Sequence, residues 1–219
     1  IGDPAMKLAF PKPNIRLTKI NDVPISGNTD VLQALSHAKI EGEVVDVSGN
    51  IISNYNGILT ATIYDKNIER STLANDRTRD FSGQLIILNF ETLGEIIFRG
   101  QATVTNGAFN FNFVVPRDIE IPVGNGKVSF YAKTTSPLQD QAGASYDIKI
   151  GGLNPNAAED NEGPIISLFM NDENFVSGGI TNEGPTLLAK LQDENGINTA
   201  SGIGHDISAI LDGDETNPF

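Results

Sequence analysis

The 219-residue sequence contains no cysteine and no tryptophan. Without cysteine there is no disulfide framework, no thiolate metal site and no thiol nucleophile, and the chain carries no mark of its redox compartment. Basic residues are scarce. Fifteen Lys and Arg stand against 28 Asp and Glu, which gives a formal net charge of −13 and a pI near 4.4. That balance argues against a nucleic-acid partner, whose phosphates need lysine and arginine to neutralise them, and against anionic lipid surfaces. No apolar run approaches the roughly 18 residues that cross a bilayer as a helix, so direct membrane insertion is not expected. The first residues, IGDPAMKLAF, lack the charged and apolar regions of a signal peptide, and residue 1 reads as a cut from a longer chain. Long amphipathic helical patterns are also missing.

What remains is rich in Gly, Asn and Asp, with 39% hydrophobic residues, enough for a packed core. Residues 1–14 end in closely spaced prolines and read as an extended connector. IRLTKI at 15–20 alternates strictly, as a half-buried strand does, whereas DVLQALS at 30–36 reads as one or two helical turns capped by Asp30. IEGEVVDV and ILTATIYD follow as strands, separated by a Gly- and Asn-rich stretch. The strongest local signal is RGQATVTNGAFNFNFVVP. Asn106-Gly107 tolerates the positive φ of a two-residue hairpin turn, and Phe109, Phe111, Phe113 and Val115 share one face at period two, with Asn110 and Asn112 on the other. KVSFYAKT and SYDIKIG complete about seven or eight short strands, the spacing of an Ig-like or fibronectin-like β-sandwich over residues 15–150.

Residues 151–164, GGLNPNAAEDNEGP, are polar, acidic and turn-rich, and read as a linker. Beyond them IISLFM, TLLAKLQD and DISAILDG look like three more strands, so residues 165–219 read as an incomplete second β-domain. Its apolar face is expected to combine Ile166, Leu168, Leu188, Ile207, Ala209 and Leu211, docked on the sandwich or leaving a sheet edge unpaired.

Four features bear on chemistry. His205 stands beside Asp206 in GIGHDI, but neighbours on a strand point to opposite faces, and no Gly-x-Ser-x-Gly elbow or cysteine accompanies them. They read as a polar strand entrance rather than a catalytic pair, and His37 reads as a surface histidine. DENGIN and DGDET resemble pieces of calcium loops, with Asp193, Asn195, Asp212 and Asp214 as candidate ligands for a structural calcium. Neither completes a twelve-residue loop of the EF-hand type, and both match ordinary turns. A loop of about twenty residues, 65–84, mixes Arg70, Arg77 and Arg79 with acids, and long loops in compact domains are commonly functional. These arginines are the candidate partner contacts. Glycines 178, 179, 202 and 204 are followed by neither a Lys-Ser/Thr pair nor a helix, so they make no phosphate cradle. No cofactor is expected.

Three stretches carry a family resemblance. GDPAMKLAFPKP resembles the segment that closes the catalytic region of gingipain-type cysteine peptidases. FRGQATVTNGAFNFNFVVPRDI and residues 163–214 resemble the region after the peptidase domain in the type IX secretion system sortases of Bacteroidetes. The resemblance runs along nearly the whole chain. It implies a non-catalytic, post-catalytic β-rich region, since the family's cysteine and histidine precede the GDPA segment and no catalytic residue carries over. It further implies export to the outer surface of the outer membrane. There such sortases remove C-terminal sorting domains from secreted cargo and attach the cargo to anionic lipopolysaccharide. The implied partners are an upstream peptidase domain, an outer-membrane β-barrel, other attachment-complex subunits and the cargo. The competing expectation is a stand-alone extracellular binding or adhesion module. Against a sugar site stand the missing Trp and the scattering of four Tyr along the sequence.

Overall fold

In the computed structural model, residues 14–26, 29–157, 159, 161–197 and 207–216 are described. Their regular structure is all β. β1 (Ile15–Ile20), β2 (Val23–Pro24), β4 (His37–Val44) and β9 (Ala108–Val114) form an antiparallel sheet in the order β2-β1-β4-β9. A second sheet has the order β3-β11-β10-β5-β8, from β3 (Val31–Ala34), β5 (Gly57–Tyr64), β8 (Ile96–Val104), β10 (Gly124–Lys133) and β11 (Asp140–Leu153). The two sheets enclose one hydrophobic core, the expected sandwich.

Period-two patterning accounts for the core. Leu59, Ala61 and Ile63 of β5 and Val128, Phe130 and Ala132 of β10 point inward, while the residues between them stay wetter. On β9, Phe109, Phe111 and Phe113 are buried and Asn110 and Asn112 are exposed, as the alternation predicts. The phenylalanines tie the layers together. Phe98 of the second sheet stacks on Phe111 at 5.1 Å between ring centroids and lies 4.6 Å from Phe113, and Phe109 meets Phe130 at 5.3 Å. Gly42 faces Phe109 across the β4–β9 ladder, where any Cβ would collide with the ring.

The structure corrects several sequence readings. DVLQALS is not helical. Val31–Ala34 is a strand parallel to β11 that buries Leu32 and Ala34, residues two apart, so ladder and core override the local helical preference. Leu35, at φ 62°, then turns the chain straight into the other sheet. Asn106 and Gly107 do make the tight turn, with φ 53° and 79° and reciprocal Thr105–Ala108 bonds of 2.9 and 3.0 Å. The ladder stops at that single bridge, however, because β8 pairs with β5 and β9 with β4 in opposite sheets. The turn therefore closes the end of the sandwich instead of building a hairpin. Strand β11 runs through Leu153, past the boundary read at residue 150.

Residues 65–84 are not a structureless loop. β6 (Ile68–Ser71) pairs antiparallel with β7 (Asn89–Thr92), and the pairing continues outward through Thr72–Leu88, Thr78–Ile86 and Arg79–Leu85. The result is a two-stranded arm between β5 and β8. A further pair, β12 (Ile165–Met170) and β13 (Leu187–Gln192), forms a separate two-stranded sheet. The third strand expected there is absent among the described residues, since 207–210 are not in a strand. The register places Ile166, Leu168 and Met170 opposite Leu191, Ala189 and Leu187, an all-apolar face. Leu188 lies on the other face, opposite Phe169, so the face expected from the sequence is corrected there. No described residue from 161 to 197 or from 207 to 216 is buried.

Candidate functional site

The arm is the most distinctive surface feature, and its base shows how it is held. Asp65, only 5% exposed, ends β5's run into the arm. Its Oδ1 accepts from the Lys66 amide (2.7 Å) and from Lys66 Nζ (2.6 Å), and its Oδ2 accepts from the Glu120 amide (3.0 Å). Lys66 Nζ also donates to the carbonyls of Glu120 (2.9 Å) and Ile150 (3.3 Å). Both charges are thus removed from water but paired and hydrogen-bonded, the condition under which a buried ion pair is tolerated. On the return strand, Gly94 lies so close to the carbonyls of Asp65 and Lys66 that a Cβ there would collide with them. Sequence reading placed Asp65 and Lys66 in the loop as ordinary charges. Nothing in a linear pattern distinguishes a buried pair from a solvated one.

Along the arm the two faces differ. One carries Ile68, Arg70 and Thr72 beside Thr92, Phe90 and Leu88, with Ile86 next in the row. The other sets Glu69 directly opposite Glu91. An open groove of about 580 Å³ runs past Ile86, Leu88 and Phe90 beneath the turn at residues 71–78. At the tip Phe81 is fully exposed.

The acids at the tip satisfy their own turns. Asp76 accepts from the Thr78 hydroxyl (2.7 Å) and amide (3.2 Å). Asp80 Oδ1 accepts from the Ser82 hydroxyl (2.7 Å) and amide (2.8 Å) and the Gln84 amide (2.9 Å). These bonds favour the charged forms, and they hold both carboxyls below their ordinary range, the Thr78 and Ser82 hydroxyls contributing most. The three predicted contact arginines all lie on the arm. Arg79 Nη1 donates to the Gly83 carbonyl (2.6 Å), whereas the Arg70 and Arg77 guanidinium groups bond to no described residue.

Elsewhere, several basic residues are engaged. On the outer face of the first sheet Arg16 pairs with Glu43 at 2.7 Å, and Lys39 bridges Asp22 (2.6 Å) and Glu41 (2.7 Å). These contacts lower the carboxyl pKa of Asp22 and Glu41, chiefly through the hydrogen bond from Lys39. On the outer face of the second sheet Lys127 sits 5.7 Å from the Tyr64 ring centroid and 5.8 Å from that of Tyr146. The fold brings together tyrosines that are far apart in sequence, but the lysine already engages both rings.

The other predicted positions are dispersed. His37 begins β4 at the mouth of a cleft of about 970 Å³, near Arg117 and Asp118. Asp193 accepts from the Asn195 amide (2.8 Å), and Asp214 from the Thr216 amide (3.0 Å), both as turn bonds. Asp212 has φ 52° in the turn just before Asp214. Among the described residues no group of three or more His, Cys, Asp or Glu is placed to hold a metal ion. His205 and Asp206 lie outside the described residues.

No protein-family model matches the chain. No curated protein sequence matches it either. Among solved structures, the chain is similar to the crystal structure of dimeric latent PorU from Porphyromonas gingivalis, with a TM-score of 0.65 and 28% sequence identity. The match covers 100% of this chain and 20% of the PorU chain, so this chain spans a fifth of that protein's length. It is a β-sandwich with a projecting arm, without cysteine, that resembles one region of a PorU chain along its whole length.

Proposed function

We propose that this chain is a non-catalytic structural and interaction module of a PorU-like cell-surface sortase of the type IX secretion system. The observation that carries the reading is the structural match of the whole of this chain to one fifth of the PorU chain, at 28% identity and a TM-score of 0.65. The absence of cysteine supports it, since a cysteine peptidase keeps its nucleophile elsewhere. In this reading the parent protein is exported to the outer surface of the outer membrane. It trims C-terminal sorting domains from secreted cargo and joins the cargo to anionic lipopolysaccharide. The sandwich braces the upstream peptidase domain, and its arm faces the attachment complex, including an outer-membrane β-barrel, or the cargo. A structural calcium at Asp193 and Asn195, or at Asp212 and Asp214, belongs to this reading only as a stabiliser of turns. Calcium should then raise the melting temperature.

The deciding experiment is capture of a purified PorU-type peptidase region, and separately of the purified β-barrel subunit, by the tagged chain. Saturable binding to at least one of them, with no peptidase turnover by the chain alone, is the expected result. Binding to neither overturns the reading. So does peptide hydrolysis by the pure chain that His205→Ala abolishes.

A further inference from the structure

Strand β7 and the residues just before it present a free sheet edge. The bonds that hold the arm together fall on alternate residues: Thr72 and Leu88 exchange bonds, and the ladder sets Arg70 opposite Phe90 and Ile68 opposite Thr92. By the antiparallel alternation, the backbone amides and carbonyls of Ile87, Asn89 and Glu91 point outward, and β7 has no strand on that side among the described residues. Exposed edges are commonly blunted by lysine or proline. LIILNFET, residues 85–92, has neither, and its Ile86, Ile87, Leu88 and Phe90 are exposed. An exposed apolar run on an open edge is a template for strand addition.

Charge decides what the edge takes. Residues 85–95 contain Glu91 and Glu95 and no base. Glu91 stands directly opposite Glu69, an unfavourable like-charge pair that a cation would relieve. The groove beside Ile86, Leu88 and Phe90 has Asp76 as its one charged lining residue among the described residues. Arg70 lies one strand away, on the face opposite to Glu69 and Glu91. It disfavours cations on the apolar side and so fixes which way round an added strand sits. A second copy of this chain would bring another Glu91 to the edge instead of a base, so self-pairing fits it poorly.

We propose that the β7 edge binds an extended polypeptide segment that alternates apolar residues with lysine or arginine. Its backbone pairs with Ile87, Asn89 and Glu91, and its apolar side chains lie beside Ile86, Leu88 and Phe90. Its basic side chains meet Glu91, with Glu69 behind it. Main-chain bonds supply affinity, and alternate side chains supply selectivity. The proposal deepens the interaction-module reading, on which it rests, by naming the chemistry of the partner.

The test titrates the whole 219-residue chain, isotope-labelled, with a synthetic peptide alternating valine and lysine. A valine–glutamate peptide reverses the charge, and a serine–lysine peptide keeps the charge without the apolar side. The expected amide shifts with the valine–lysine peptide concentrate between residues 85 and 92, and the other two peptides bind more weakly. The paired variant Glu69→Lys, Glu91→Lys should bind the valine–lysine peptide about tenfold more weakly or worse and should gain affinity for the valine–glutamate peptide. Glu69→Gln with Glu91→Gln is a milder pair should the reversal disturb the fold, and unchanged melting checks both. Shifts mainly outside the arm, equal binding of the serine–lysine peptide, tighter binding of the valine–glutamate peptide, dimerisation through the β7 edge, or no shift at millimolar peptide overturns the proposal. Because only this chain and synthetic ligands are used, such a failure leaves the capture of the peptidase region or β-barrel as a separate result.

Discussion

Strands β9 and β12 are alike in composition and opposite in fate. AFNFNFV and IISLFM are both short and rich in Ile, Leu or Phe. Phe111 of β9 is 8% exposed, packed between two sheets and stacked on Phe98. Ile165 and Leu168 of β12 are 69% and 61% exposed, because β13 is the only strand paired with β12 and no second layer covers either face among the described residues. Hydrophobicity supplies the tendency to leave water, but burial needs a second layer. A two-stranded sheet has none of its own.

The widest separation should appear in hydrogen exchange. Amides of β5 and β10, at the centre of the second sheet, should exchange only through global unfolding, typically about 5–15 kcal/mol uphill, while those of β12 and β13 should open at nearly no cost. Equal protection in both regions of a monomeric sample would break the comparison.

Side-chain truncation gives the next contrast. Phe111→Ala should cost about 3–5 kcal/mol in a denaturant melt, since it empties a core position, whereas Leu168→Ala should stay within about 0.5 kcal/mol. A large loss at Leu168 would mean that the β12–β13 face is covered in solution. Between these lies Asp65→Ala, which strands the Lys66 ammonium in a nearly dry site. The same melt should show a loss of about 3 kcal/mol, and a loss under about 1 kcal/mol would mean that the base of the arm is wet.

The smallest effect is acid loosening of the arm's tip. Asp76 and Asp80 are held below their ordinary value of 3.8, so their turns are at full strength above that pH. The contribution fades as pH falls below it, through the lowered folded-state values. Protection of the Ser82 and Gln84 amides, relative to their intrinsic exchange rate at each pH, should therefore fall below pH 3.8 while the sandwich strands stay protected. Protection factors that do not change with acid would show that the turn does not depend on the Asp80 charge.

By itself the sequence determined the all-β class, the period-two faces of β5, β9 and β10, the Asn106-Gly107 turn and the impossibility of thiol chemistry, whereas the strict alternation read for β1 breaks at a bulge between Leu17 and Lys19 that buries Ile20 with Ile15 and Leu17. Each follows from local physics: alternation sets which side chains share a face, Asn-Gly accepts positive φ, and a missing residue type cannot act. The tertiary structure decided what lies beyond the range of local rules. It drew residues 31–34 into a parallel ladder with β11, because strand pairing and the burial of Leu32 and Ala34 outweigh a weak helical preference. It sent the two strands flanking Asn106-Gly107 into different sheets, since a turn fixes direction but not partner. It also turned a charged stretch into an arm anchored at its base. Asp65 and Lys66 are an inconspicuous pair in the sequence, and only the close approach of Glu120, Ile150 and Gly94 from distant segments makes them a buried anchor, while leaving Arg70 and Arg77 facing solvent.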